Sequence, residues 1–271
     1  SIDFQGLLKS ALVSKLSGAK RRVGFAREHL REPASRFLLT ETVRTPARLN
    51  VIRKNLALAS GALGVELETA ADSLEFPIHV SPTHEREADD IVQTIGERFT
   101  ILNPGGGWPT KLWDADRYGE LADVLLVKQG LRSIVTYGPG ERELAERVVA
   151  SSRTGAATAA SPTLKGFYAL ARRAAVYVGG DTGPTHLAVA AGAPVVGLFG
   201  PTEWWRNGSP REEDICVERT DIGCRVDCHR RACSQWVCME IRVERVAAAV
   251  GERLRRAEKI SGAVEVHAGG A

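Results

Sequence analysis

Residues 181–186 read Asp-Thr-Gly-Pro-Thr-His and sit in the small-residue stretch "VYVGGDTGPTHLAVAAGAPVVGLFG" between two apolar runs. Thr182 is placed to cap a helix whose first turn holds Gly183 and Pro184, leaving backbone N–H groups and the positive end of the helix dipole to face outward. Such an end suits a diphosphate. Asp181 beside it would repel phosphate, so its expected role is to accept hydrogen bonds from a neutral, polyhydroxylated group joined to that phosphate. The alternative is that Asp181 only caps the helix. His186, on the first turn, either touches phosphate or bonds within the core.

Two further clusters offer compatible chemistry. "NPGGGWPTKLW" supplies backbone amides at Gly105, Gly106 and Gly107 and a mobile cation at Lys111, a combination that lets the main chain approach an anion. It lacks Walker spacing, and glycines there could simply end a strand. "YGPGERE" puts Glu141 at a helix start after a strand, where an acid binds ribose hydroxyls or only favours the helix dipole. Near the front, Lys9, Arg21, Arg22, Arg27 and Arg31 form a basic set around Phe25 and Pro33, read either as a solvated face or as a seat for an acidic acceptor. Five cysteines, Cys216, Cys224, Cys228, Cys233 and Cys238, crowd one segment with His229 beside Cys228. They lack paired CxxC knuckles, so reduced packing cysteines or a local disulfide are expected rather than a metal site.

The elements that must position these residues follow from the apolar pattern. From about residue 99, "FTILN", "SIVTY", "AATAA", "AVYVGG" and "PVVGLFG" alternate with the helical "ADRYGELADVLLVKQG", "RELAERVVASS" and "LKGFYALARRA". Alternation with short loops predicts parallel strands joined by crossover helices, and continuously apolar strands predict a sheet covered on both faces. Gly105 to Lys111, Gly138 to Glu141, Asp181 to His186 and Gly200 to Thr202 then fall on one rim, at the carboxyl ends of the strands where open α/β sheets bind ligands. Before residue 80, "GLLKSALVSKL" and "RLNVIRKNLALAS" read as helices around a short "RRVGF" strand, and Pro82 in "VSPTHERE" is taken as the boundary of a separate α/β domain.

Composition narrows the class. With 271 residues, 44% of them hydrophobic, the chain can build one or two real cores. A formal net charge of +3 is no signature of nucleic-acid binding. The apolar run from Ala188 to Gly200 is interrupted by Gly192 and Pro194 and falls short of the ~20 residues a membrane helix needs. Nothing at the front resembles a signal peptide. The opening "SIDFQGLLKSALVSKLSG" reads as the tail of a strand entering a helix, and the expectation is that an N-terminal piece precedes it.

"GGDTGPTHLAVAAGAPVVGLFGPTEWW" resembles glycosyltransferase family 9, the ADP-heptose:lipopolysaccharide heptosyltransferases. "IDFQGLLKSAL", "RRVGF" with "REPAS", "NPGGGWPTKLWDADRYGELAD", "GPGERELAE" and "CRVDCHRRACSQWVCMEIRVERV" extend the resemblance along the chain. It implies a GT-B architecture of two Rossmann-like domains with parallel sheets facing across a cleft. Residues 1–82 would be the remainder of an N-terminal acceptor-side domain and 83–271 the domain that binds the sugar nucleotide. It implies inverting transfer of a heptose from ADP-heptose to the lipopolysaccharide inner core, with no metal and no cofactor beyond the donor substrate. Lys111 matches the family's phosphate-binding lysine and Glu141 its ribose-binding acid. Asp181 matches the aspartate near the heptose, and Thr182, Gly183 and His186 line the diphosphate with Gly105 and Gly106. Lys9, Arg27 and Arg31 are the candidates for holding the anionic acceptor. The family's aspartate base belongs to a Gly-Asp segment expected upstream of residue 1, and Asp3 in "IDFQG" is not a convincing substitute. A donor-binding module without transfer is therefore the alternative, and an epimerase on the same fold a more distant one. The implied setting is cytoplasmic, with peripheral association at the inner face of the inner membrane.

Overall fold

The computed structural model describes the chain except for residues 69, 71–73, 225–227, 229 and 269–271, with side chains through Lys259. It forms two compact units, Ser1–Leu74 with Trp205–Pro210, and Glu75–Trp204 with Arg211–Ala271. The chain thus changes unit eight residues before the expected cut at 82/83, and one short later segment returns to the first unit. Pro82 does not interrupt the pattern. It is the first residue of a helix whose N-cap, Ser81, exchanges capping contacts with His84. Proline is suited to that position because its missing N–H would have no partner there.

In the first unit, three short parallel strands, β1 (Ile2–Asp3), β2 (Val23–Phe25) and β3 (Glu41–Val43), pair in that order. Helices α1 (Leu8–Leu16) and α2 (Val51–Leu63) and two 3-10 turns, Arg27–His29 and Pro33–Leu38, complete it. Asn50 caps α2 by accepting from the Ile52 N–H at 3.0 Å, and Gly64 ends it at φ +69°, where a left-handed residue is needed. Ala11, Val23, Phe25, Leu30, Leu39, Leu58 and Ala62 form the core. Trp205–Pro210 belongs here because the Asn50 side-chain amide donates to the Gly208 carbonyl at 2.9 Å and the Arg48 guanidinium lies 5.1 Å from the Trp205 ring centre.

The second unit begins with α3 (Pro82–Ile95) and carries β4 (Phe99–Asn103), α4 (Ala115–Gln129), β5 (Arg132–Thr136), α5 (Arg142–Ser151) and β6 (Ala157–Ala160). There follow α6 (Leu164–Ala171), β7 (Val176–Gly180), α7 (Gly183–Ala190), β8 (Val195–Phe199), the short α8 (Trp204–Asn207) that runs out of this unit, β9 (Ile215–Glu218) and α9 (Val243–Ala268). All six strands are parallel, in the order β6-β5-β4-β7-β8-β9. This is the doubly wound arrangement in which strand order reverses beside the first strand, here between β4 and β7. Every residue of β4, β7 and β8 is buried, as required of strands with a helical layer on each face. Asp214, leading into β9, accepts from the Val195 N–H at 2.9 Å and from the Arg253 Nε of α9 at 2.8 Å, so one buried carboxylate ties β8, β9 and α9 together. Among the described residues no helix is long and apolar enough to cross a membrane.

Candidate functional site

Where strand order reverses, the connections leaving the two central strands run to opposite faces of the sheet and open a crevice. Asn103 of β4 pairs with Gly179 of β7, so the loops that follow them, 104–114 and 181–182, border the same crevice. The structure brings Gly105, Gly106, Lys111, Glu141, Asp181, Thr182, Gly183 and His186 together on one cavity of about 770 Å³, a volume typical of small-ligand sites.

Lys111 and Asp181 meet across it. The ammonium donates to the Asp181 Oδ2 at 2.7 Å and to the Asp181 carbonyl at 3.1 Å, and the two side chains are only 12% and 7% exposed. His186 Nε2 stands 3.6 Å from Asp181 Oδ1. Burial alone would raise the Asp181 pKa, but the hydrogen bonds of His186 and Lys111, the Lys111 charge and the neighbouring Thr202 outweigh it, so the carboxyl is held well below the usual carboxylate range. Asp181 is thus a permanent anion. The helix cap is Thr182 instead, and its side chain makes no capping bond. The turn is fastened from within by Thr185, whose hydroxyl bonds the Gly180 carbonyl and meets the Tyr177 hydroxyl at 2.9 Å.

The glycine loop is shaped by its neighbours. A Cβ on Gly105 would collide with the Glu141 carboxylate, and one on Gly106 would press on Leu112. Glu141 Oε2 accepts from the Gly138 N–H at 2.9 Å, which folds the acid back over its own loop and toward Gly105. The Trp108 ring lies 4.2 Å from the Lys111 Nζ, a cation–π contact that helps fix the lysine. At the apolar end of the cavity Pro139 falls within the "YGPGERE" stretch, whereas Pro162, Leu164 and Phe167 were not marked by any motif. Those three come from the β6–α6 connection and from α6 itself, and the only available signal was that this loop, too, follows a strand. Thr163 fixes that loop, capping α6 through the Gly166 N–H at 3.0 Å while Glu87 of α3 accepts from its own N–H at 2.7 Å.

Lys9, Arg27 and Arg31 lie in the first unit, all exposed. Arg21 and Arg22 leave the basic set: Arg21 pairs with Glu41 at 2.8 Å, and Arg22 donates to the carbonyls of Leu38 and Ala19. Asp3 is buried and accepts from the N–H groups of Gln5 and Gly6 and from the Ser10 hydroxyl, which makes it the clasp of its own turn. All five cysteines are free thiols, in keeping with the reduced alternative and not with a disulfide; Cys216, Cys228 and Cys238 are half-buried, whereas Cys224 and Cys233 are exposed. His229 lies outside the described residues.

A doubly wound sheet with a glycine loop, a buried cation and an open helix end at its reversal point defines a Rossmann-like unit. Residues 1–236 match the model of glycosyltransferase family 9 (heptosyltransferase), and the chain belongs to that family. It is similar to lipopolysaccharide heptosyltransferase 1 of Pseudomonas aeruginosa, 30% identical over 86% of this chain and 62% of the relative. Lipopolysaccharide heptosyltransferase 3 of Escherichia coli is 27% identical over 58% of this chain and 47% of the relative. The chain therefore spans about half to three fifths of the length of these relatives. Among solved structures it resembles the family 9 glycosyl transferase of Veillonella parvula, with a TM-score of 0.73 and 19% identity over 94% of this chain and 73% of that one. E. coli heptosyltransferase WaaC with ADP gives a TM-score of 0.67 and 21% identity over 93% of this chain and 72% of that one. These likenesses place the fold in the GT-B class.

Proposed function

We propose that the protein is an inverting glycosyltransferase that moves a heptose from ADP-heptose to the inner core of lipopolysaccharide. The observation that carries this is the buried Lys111–Asp181 pair at the strand-order reversal, next to the N-terminus of α7. An acceptor hydroxyl attacks the anomeric carbon as the bond from that carbon to the diphosphate breaks, and ADP departs with the bonding electrons. Lys111, the amides of the 105–107 loop and the α7 N-terminus stabilise the charge gathering on the diphosphate. Asp181, a fixed anion, neutralises Lys111 before the donor arrives and accepts hydrogen bonds from the sugar hydroxyls. Glu141 holds the ribose, and the base lies against Pro139, Pro162, Leu164 and Phe167. The acceptor proton passes to a general base on the acceptor side; Asp3, spent on its own turn, does not fill that role. Exposed Lys9, Arg27 and Arg31 attract the anionic core, and an acceptor anchored in lipid places the enzyme at the cytoplasmic face of the inner membrane.

The test is incubation of the chain with ADP-heptose and a heptose-free lipopolysaccharide core, following ADP release and acceptor mass. Transfer with inversion at the anomeric carbon is the expected result for a preparation that includes the acceptor-side base. Tight donor binding with no gain in acceptor mass would favour the module that binds without transferring.

A further inference from the structure

The donor crevice makes no use of the cysteines. Cys216 stands apart on β9, its thiol donating to Glu218 Oε2 at 3.3 Å. The other four, Cys224, Cys228, Cys233 and Cys238, line a single cavity of about 20 Å³ with Thr110, Gly200 and Trp236, enough for one water-sized body. Packing preference does not explain the gathering, since Cys224 and Cys233 are exposed, whereas packing cysteines belong among the most buried residues.

The backbone around them is specialised for sulfur. The Trp236 N–H donates to Cys233 Sγ at 3.3 Å, the kind of outer-shell bond that steadies a ligating thiolate. Trp236 sits at φ +35°, the sole non-glycine residue at positive φ among the described residues. A bulky side chain persists there only when its surroundings dictate the conformation. Four soft donors facing one water-sized space are the chemistry a divalent cation takes.

We propose that Cys224, Cys228, Cys233 and Cys238 hold one divalent metal ion as a tetrathiolate, with zinc or ferrous iron the ions suited to four soft ligands. The three intervals are three, four and four residues, without a CxxC pair, which is why spacing alone argued against a metal. Among the described residues no three potential ligands are already set at coordinating geometry, so binding draws the four sulfurs inward from the cavity walls. Each thiol gives up its proton, four are released, and the centre carries a net charge of −2. Arg230 borders the cavity, so a cationic residue flanks that charge. The centre is structural in character and reaches the donor loop: the Thr110 hydroxyl donates to the Arg230 carbonyl at 2.6 Å, and Trp236 Nε1 donates to the Thr110 carbonyl at 2.8 Å. Thr110 is the residue before Lys111.

Elemental analysis of the full chain, purified under reducing conditions without chelator, tests the site independently of any transferase activity. The expected result is one zinc or iron per chain, the analysis itself separating the two ions. Cobalt reconstitution should give the charge-transfer and d–d bands of a tetrahedral tetrathiolate. Cys233→Ser combined with Cys238→Ser should abolish stoichiometric metal, and Cys216→Ser should retain it. Should the double variant fail to fold, chelator-stripped wild type titrated with cobalt decides the question, since each bound cobalt should shield four thiols from alkylation and leave Cys216 reactive. Metal well below one per chain without the tetrathiolate cobalt spectrum would overturn the proposal. So would disulfides among the four cysteines in the reduced preparation, or loss of metal in Cys216→Ser equal to that in the double variant.

Discussion

The two units use the same device, parallel strands under helices, with very different amounts of apolar burial behind it. In the six-stranded sheet, β4, β7 and β8 are five-residue strands buried at every position. In the three-stranded sheet the strands are two or three residues long, the core is a cluster of seven buried residues, and α1 leaves Leu8, Leu12, Val13 and Leu16 exposed. The difference shows where a charged side chain can be aimed. Lys111 and Asp181 emerge from the thick sheet, are almost wholly buried and face each other at 2.7 Å, so their geometry is set before any ligand arrives. Lys9, Arg27 and Arg31 stand exposed on the thin one and are suited to gathering an anion, not to placing it. Isolated charge pairs at a surface contribute little, whereas a buried pair is costly to break.

The largest expected contrast is in stability. Leu102→Ala, in the middle of the wholly buried β4, should cost about 2–5 kcal/mol through lost burial and the cavity left behind. Val13→Ala on α1 should stay within about 0.5 kcal/mol, as surface changes do. Chemical denaturation of both variants measures this, and equal losses would mean that the exposed face of α1 is covered in solution.

A smaller contrast lies within the rim. Glu141→Ala should reduce ADP affinity by about 1.5–3 kcal/mol, the range for hydrogen bonds to a charged group, and should abolish discrimination between ADP and an analogue lacking the ribose hydroxyls. Arg27→Ala should leave ADP affinity unchanged. Titration of the two ligands into each variant checks both statements. A Glu141→Ala protein that still prefers the ribose would reduce Glu141 to the loop clasp formed with Gly138.

Much of this contrast was legible in the sequence because it rests on local pattern. Five continuously apolar runs marked β4 to β8, and the chemical residues followed strands rather than helices, which placed them on one rim. What escaped was non-local or weakly patterned. β3 (Glu41–Val43) is three residues with two exposed, and β9 (Ile215–Glu218) is four residues with one fully buried, so neither carries a usable apolar period. The Lys111–Asp181 bond joins residues 70 positions apart, and Trp205–Pro210 rejoins the first unit through Asn50 and Arg48. No periodicity encodes such returns. Pro82 was misjudged because proline both breaks and begins helices, and the Ser81–His84 cap that decides between them is read from geometry.

The central claim is that the two partners of the buried pair serve different parts of one donor, Lys111 the diphosphate and Asp181 the sugar. Calorimetric titration of ADP and of ADP-heptose into wild type, Lys111→Ala and Asp181→Ala tests it most directly. Lys111→Ala should weaken both ligands alike, by about 1.5–3 kcal/mol for a lost charged contact. Asp181→Ala should weaken ADP-heptose and leave ADP unchanged or bound more tightly, because the removed carboxylate competes with phosphate for Lys111. Equal loss of both ligands in Asp181→Ala, or unchanged ADP binding in Lys111→Ala, would contradict the division of labour.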